Sequence, residues 1–446
     1  MRTTDYNGEK SIKDLLSDVN ETYNLDDLKQ IANTRLDKIT LDDHSNLLIF
    51  PQKWNEHYDD IHEETIFSLS DDEKITTLGI LGFVGRNNTK LTISSRFANK
   101  DGHDYFLHYM LQKVFAINIL KFDQTPEKND IWDFWLYLFP YYLKKAYAQG
   151  LYKSYRRQDY NDANVKGTID VKRHIRINNP FAGKIAYTTR EYSHDNPVTQ
   201  LIRHTIEHIK VHPWGSGILT GNSDIRDIVS KFCFVTENSY KKNDRQKVIS
   251  ANIKPVSHPY FTEYNILQKI CLRILRREKL SFGEEKDKIY GLLFDGAWLW
   301  EEYLNTFLKT EGFKHAENKR GKGFIKIFSK DDNVSYRRYP DFYRDDFVLD
   351  AKYKNMERNN IDRNDMHQII SYMYIQTAKV GGFVYPEKTN DEENPMKNPI
   401  KVGTLKGYGN DVNLYHLTIP QASLDFCEFQ KLMRDNEQKL VDSLRC

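Results

Sequence analysis

Two aspartates and a lysine stand close together in residues 337–354, RRYPDFYRDDFVLDAKYK: Asp341 follows a proline, and Asp350-Ala351-Lys352 interrupts an otherwise apolar run. Carboxylates are hard oxygen ligands of the kind Mg²⁺ takes, one or two at a time, alongside water and substrate oxygens. A neighbouring lysine can position or help deprotonate a water and offset charge developing on a phosphoryl group. That set suits metal-assisted phosphodiester hydrolysis, because the substrate is an anion that resists attack by another anion. Asp341 and Asp350 are therefore candidate Mg²⁺ ligands, with Mn²⁺ able to substitute, and Lys352 is the candidate catalytic cation.

For these groups to meet, YRDD (343–346) must turn between two antiparallel strands. Side chains alternate across a strand, so Val348, Asp350 and Lys352 share one face while Leu349 and Ala351 point the other way. The helical pattern GAWLWEEYLNTFLKTEG (296–312) puts Ala297, Trp300, Tyr303, Leu304, Phe307 and Leu308 on one stripe. Glu301 lies at the edge of that stripe and is a third candidate ligand; Glu302 is expected to face solvent. On a later helix, DRNDMHQIISYMYIQTAK (362–379), Gln368 and Tyr372 lie four apart on one face, suited to holding the attacking water or a phosphate oxygen. His367 points elsewhere. Strand candidates at 323–329, 334–342 and 347–353, then GGFVYPE, alternate with these helices and predict an α/β domain with a mixed sheet.

Upstream, residues 1–45 look helical and charged, LLIF (47–50) reads as a strand, and GRNN marks the turn of a hairpin within 75–97. Residues 103–158 carry helical periodicity. Residues 165–178 alternate apolar and charged positions like a strand, 183–192 are another strand candidate, and DNPVTQLIRHTIEHIK is a helix capped by Asp195 or Asn196 with Pro197 in its first turn. A polar loop and KPVSHPY place a boundary near residue 260, giving an N-terminal hairpin-and-helix region (1–260) and a C-terminal domain (261–446). Arg156, Arg157, Lys172, Arg173, Arg176, Arg337 and Arg338 are candidates for a DNA path.

Composition bounds the rest. The chain has 446 residues, 39% hydrophobic and 29% charged, which is globular rather than disordered. A net charge of +2 leaves any basic surface to local arrangement. Four scattered cysteines fit neither a zinc site nor a disulfide framework. With no apolar leader in MRTTDYNGEKSIKDLL, and Asp133 and Pro140 interrupting the most apolar run, a cytoplasmic protein without membrane partners is expected.

Glu301, Asp341 in YPDF, Asp350-Ala351-Lys352 and Gln368-Ile-Ile-Ser-Tyr372 together resemble the PD-(D/E)xK nuclease superfamily, and in particular the McrC-type subunit of McrBC and LlaJI-like restriction systems. GILGFVGRNNTKLTISSRF is similar to that family's N-terminal strand pair, although SSRF stands where Pro-Lys is often found. VKGTIDVKRHIRIN is similar to its central Arg-Gly-x-Ile/Leu-Asp/Asn segment. The resemblance covers roughly residues 75–385. It implies a restriction-endonuclease-like C-terminal domain, a double-stranded DNA substrate and a partner, a McrB-like hexameric AAA+ GTPase. This chain would dock on that ring through residues 1–260, stimulate hydrolysis and cut. The chain carries no GxxxxGK[ST] phosphate loop, so nucleotide hydrolysis falls to the partner. Two other readings share parts of the pattern: a non-catalytic adaptor that activates an NTPase ring, and a stand-alone repair or recombination nuclease.

Overall fold

The computed structural model describes residues 1–16, 23–32, 46–51, 65–99, 104–115, 130–211, 215–220, 223–276, 289–316, 323–328, 336–388, 397–406, 410–421 and 425–445. They form two compact units, Met1–Pro126 with Leu280–Cys446, and Glu127–Lys279. This is not the division expected at residue 260. The helix Glu263–Arg276 packs on Asp130–Tyr147 and Pro197–Val211 in the second unit, where the Tyr264 hydroxyl donates to the Gly150 carbonyl at 2.6 Å. The strand Ile289–Asp295 instead completes a sheet begun near the N-terminus. A pattern read along the chain cannot show that the chain leaves a sheet and returns to it.

In the first unit, a five-stranded sheet runs in the order Arg2–Thr4, Thr89–Ser94, Ile80–Arg86, Ile289–Asp295, Asn46–Phe50. Its hairpin matches the GRNN expectation: Arg86 pairs with Thr89, and Asn87 takes a φ of 50° in the turn. The described residues of 1–45 are less helical than expected. Arg2–Thr4 is extended, Ile12–Leu15 is a 3₁₀ turn and Leu25–Ile31 is a helix, while residues 17–22 and 33–45 lie outside the described set.

The second sheet of this unit has six strands, in the order Lys314–His315, Phe342–Arg344, Phe347–Ala351, Val380–Lys388, Asp411–Ile419, Ile400–Thr404. Phe342–Arg344 and Phe347–Ala351 are antiparallel around the YRDD turn. Phe347–Ala351, Val380–Lys388 and Asp411–Ile419 are parallel, so the sheet is mixed, as predicted. The helix Arg363–Gln376 crosses between the first two parallel strands and buries Ile369, Tyr372 and Met373 against Val348, Phe383 and Tyr385. Gly381 allows that approach, since a Cβ there would lie 2.2 Å from the Met373 sulfur.

Three strand expectations shorten. Among the described residues of 323–329 and 334–342, which leave out 329, 334 and 335, the strands are the two-residue pair Ile325–Lys326 and Arg337–Arg338 and the start of Phe342–Arg344, set apart by Pro340, which has no N–H to give a ladder. Residues 165–178 become a two-residue strand, Thr168–Ile169, followed by the helix Val171–Ile177. The Asp170 carboxylate caps that helix by accepting the Arg173 N–H at 3.0 Å. No residue of the helix is buried, so its apolar–charged alternation records no sheet face.

The second unit otherwise matches expectation at Ile185–Ser193 and Pro197–Val211, the latter capped by Asn196. Residues 154–158, within the span that carries helical periodicity, belong instead to the strand Ser154–Asp162. Among the described residues no helix is long and apolar enough to cross a membrane.

Gly82 has a φ of +123°, and a Cβ there would lie 2.0 Å from the Leu292 carbonyl oxygen on the neighbouring strand. Gly82→Ala is expected to cost more than about 2 kcal/mol, read as a fall in the urea-unfolding midpoint of the whole chain.

Candidate active site

The site grows from the strand pair. Phe342 faces Leu349 in the register, so Asp341, one residue before its strand, comes opposite Asp350. Asp341 is fixed there because its Oδ2 accepts the Ala351 N–H at 2.7 Å, and its carbonyl meets the Ala316 N–H at 3.4 Å and His315 Nδ1 at 2.8 Å. Asp341 is half-buried, whereas Asp350 is 1% exposed.

Alternation puts Lys352 on the Asp350 face, as predicted, and that face looks onto the Arg363–Gln376 helix. Lys352 Nζ lies 2.7 Å from Asp350 Oδ2, 2.9 Å from Asp365 Oδ1 and 3.3 Å from Gln368 Oε1. Gln368 Nε2 donates to the Tyr372 hydroxyl at 2.9 Å, which donates to the Tyr339 carbonyl at 3.3 Å. Asp341, Asp350, Lys352, Gln368 and Tyr372 therefore come together.

Glu301 sits half-buried on the helix Gly296–Leu308, near enough to act electrostatically on Asp341. The expectations for its neighbours need correction: Glu302 is half-buried too, Ala297 is exposed, and Leu299 is buried in its place. The helix start is pressed into the fold, where a Cβ on Gly296 would touch the Tyr353 ring and the Gly79 carbonyl, so burial wraps beyond a single stripe.

Charge is crowded here. Burial, then the negative charges of Glu301 and Asp350, push the Asp341 carboxyl well above the usual carboxylate range. Burial also raises Asp350, against the pull of Lys352, and Asp341 lies within hydrogen-bond reach of it. Burial alone lowers an ammonium, but Asp350 and Asp365 outweigh it and Lys352 stays firmly protonated. Burial takes the Tyr372 hydroxyl up to about 12.

Asp350 Oδ2 has the Lys352 ammonium at ion-pair distance yet receives no well-directed hydrogen bond. A buried, under-satisfied carboxylate oxygen beside a second carboxylate is chemically suited to a hard cation. Among the described residues, however, no three His, Cys, Asp or Glu side chains form a ready-made metal cage. The donor set fits an ion held by two carboxylates and completed by water and substrate, the usual habit of Mg²⁺.

Asp365 escaped the sequence reading. It bridges Lys352 and Lys354, with Lys354 Nζ 2.7 Å from its Oδ2. The available signal was helical spacing, since Asp365, Gln368 and Tyr372 fall at i, i+3 and i+7. A second unforeseen feature is the anchoring of Tyr353. Its hydroxyl lies 2.8 Å from Ser95 Oγ, and its carbonyl accepts from Arg96 at 3.0 Å. Arg96 is itself held by the buried Asp5. The SSRF segment is thus tied to the strand that carries Asp350 and Lys352.

The basic candidates divide. Arg337 stacks on Phe324 at 4.1 Å with its Nε buried and without a hydrogen-bond partner among the described residues, and Arg338 donates to the Arg337 carbonyl. Arg156, Arg157, Lys172, Arg173 and Arg176 belong to the second unit. Arg173 is structural there, bonding the Tyr160 and Tyr187 carbonyls at 2.8 and 2.6 Å and pairing with Asp159. Arg156 pairs with Asp195 at 2.5 Å. Arg157, Lys172 and Arg176 are exposed.

A mixed sheet that presents two aspartates and a lysine to one crossing helix defines an α/β protein with a buried acid–lysine centre. The chain belongs to the McrBC 5-methylcytosine restriction system component family, whose model matches residues 75–386, the span over which the resemblance was read. No curated protein matches it. It is similar to a chain in the refined half-complex from a tetradecameric assembly of Thermococcus gammatolerans McrB AAA+ hexamers with bound McrC, at 16% identity and a TM-score of 0.48, covering 100% of this chain and 99% of that one. It is also similar to a chain in the cryo-EM structure of the Thermococcus gammatolerans McrBC complex, at 15% identity and a TM-score of 0.31, covering 71% of this chain and 90% of that one.

A raised folded-state pKa at Asp341 means that its stabilising contribution is full at low pH and lost as pH rises through the raised value. In metal-free protein, Asp341→Asn is expected to raise Tm above wild type at about pH 8.5, with the gain shrinking toward about pH 5, as read by thermal melts in chelator.

Proposed function

We propose that this chain is the McrC-type nuclease subunit of a GTP-driven McrBC or LlaJI-like restriction complex, cutting double-stranded DNA with a PD-(D/E)xK centre and Mg²⁺, for which Mn²⁺ substitutes. The observation that carries this reading is the convergence of Asp341, Asp350 and Lys352, with a buried Asp350 oxygen short of donors. Asp341 and Asp350 hold the ion, and Glu301 adds negative charge beside them. When bound, the ion supplies Lewis acidity toward the phosphodiester and an activated water. Lys352, kept protonated by its carboxylate neighbours, serves as a fixed positive charge against the developing phosphorane rather than as a proton acceptor. Gln368, steadied by Tyr372, orients a phosphate oxygen or the attacking water. Arg337 and Arg338 flank this centre in sequence as phosphate contacts, and Arg157, Lys172 and Arg176 offer exposed positive charge on the second unit.

The partner in this reading is a McrB-like hexameric AAA+ GTPase in the cytoplasm, which supplies nucleotide hydrolysis while this chain docks, stimulates it and cuts. The family membership and the lack of a phosphate loop in the sequence support that division. The adaptor reading draws on the second unit, which carries none of the acid–lysine residues.

DNA cleavage with Mg²⁺, GTP and the cognate GTPase separates these readings. Asp350→Ala and Lys352→Ala are each expected to lower cutting by at least about 100-fold while stimulated GTP hydrolysis persists. Undiminished cutting by both variants would remove the nuclease assignment. GTPase stimulation without strand breaks by wild type would leave the adaptor, and cleavage by this chain alone without nucleotide would favour a stand-alone nuclease.

A further inference from the structure

We infer that Asp365 is a positioning residue of the same centre: it holds the Lys352 ammonium partly off Asp350 and so keeps the Asp350 carboxylate open to a divalent cation. This rests on the metal-dependent reading above and adds a residue to it. Lys352 Nζ is shared almost evenly, 2.7 Å from Asp350 and 2.9 Å from Asp365, with Gln368 Oε1 at 3.3 Å as its third neighbour. An ammonium has three protons to give. If Asp350 were its single anionic partner, ion and lysine would compete for one buried carboxylate, and an ion pair in a low-dielectric setting is hard to break.

Asp365 is built for the holding role. Its side chain is 12% exposed, its second oxygen is clamped by Lys354 at 2.7 Å, and it occupies the first turn of the helix capped by Asp362, where the backbone dipole favours negative charge. The helix face that brings Gln368 and Tyr372 to the site also brings Asp365, so one rigid element sets all three. When a cation engages Asp350, Lys352 keeps a full anionic partner in Asp365 and stays in place.

The test is a double-mutant cycle on Mn²⁺ affinity, followed by the paramagnetic resonance of free Mn²⁺ with the full-length chain and without DNA. Asp365→Asn is expected to weaken Mn²⁺ binding at least about threefold when Lys352 is present, and to change it less than about twofold in a Lys352→Met background. Asp365→Glu should restore most of the affinity. Equal weakening in both backgrounds would overturn the inference, because Asp365 would then act as a bare charge and not through the lysine. No effect of Asp365→Asn, with binding abolished in Asp350→Asn, would overturn the role of Asp365 alone. Intact Mn²⁺ binding in Asp350→Asn would instead remove the metal-dependent reading together with this inference.

Discussion

A carboxylate inside an apolar parallel strand is the constraint around which the first unit is arranged. Asp350 is flanked by Val348, Leu349 and Ala351, all buried, and is itself almost wholly covered. Burying such a charge costs several kcal/mol unless it is paired or neutralised. The fold answers with Lys352 two residues on, on the same face, and with a crossing helix that contributes Asp365 and Gln368 to fix that lysine. Asp341 is brought in from the antiparallel neighbour by a main-chain hydrogen bond from Ala351. The compensation is incomplete, and the donor left wanting at Asp350 lies where the proposed chemistry needs affinity for a cation.

The support for this arrangement extends past the six-stranded sheet. Tyr353, next to Lys352, is buried and joined to Ser95 and Arg96 of the N-terminal segment, and Arg96 is locked by Asp5. The Trp300 indole donates to the Val384 carbonyl, which also accepts the Lys352 N–H. The five-stranded and six-stranded sheets of the first unit are therefore joined by hydrogen bonds at Tyr353, the residue next to Lys352.

How much of this could be read from residues alone follows from what kind of signal each feature leaves. The acid–acid–lysine set, its strand pair and the Gln368–Tyr372 face were legible because parity along a strand and spacing along a helix are local rules. The GRNN hairpin was legible for the same reason. The 165–178 segment misled because apolar–charged alternation mimics a half-buried strand even where, as at Val171 and Ile175, the side chains are exposed. The burial of Leu299 and the half-burial of Glu302 come from tertiary packing, which leaves no local trace in the sequence. Asp365 shares the helical spacing of Gln368 and Tyr372, but an acidic residue in a first helical turn ordinarily serves the helix itself.

The strand Ile289–Asp295 lies between Ile80–Arg86 and Asn46–Phe50 in the finished five-stranded sheet, although the whole of the second unit precedes it in the chain. During synthesis, at about 5–20 residues per second, the two earlier strands must wait on the order of ten seconds or more for the strand that separates them. Their unpaired edges are open to wrong partners throughout that interval. The same delay means that a ribosome-bound fragment has Asp5, Ser95 and Arg96 but nothing for them to brace. Asp341, Asp350, Lys352 and Gln368 lie later still in the chain, so the acid–lysine cluster is assembled only after most of the polypeptide has emerged.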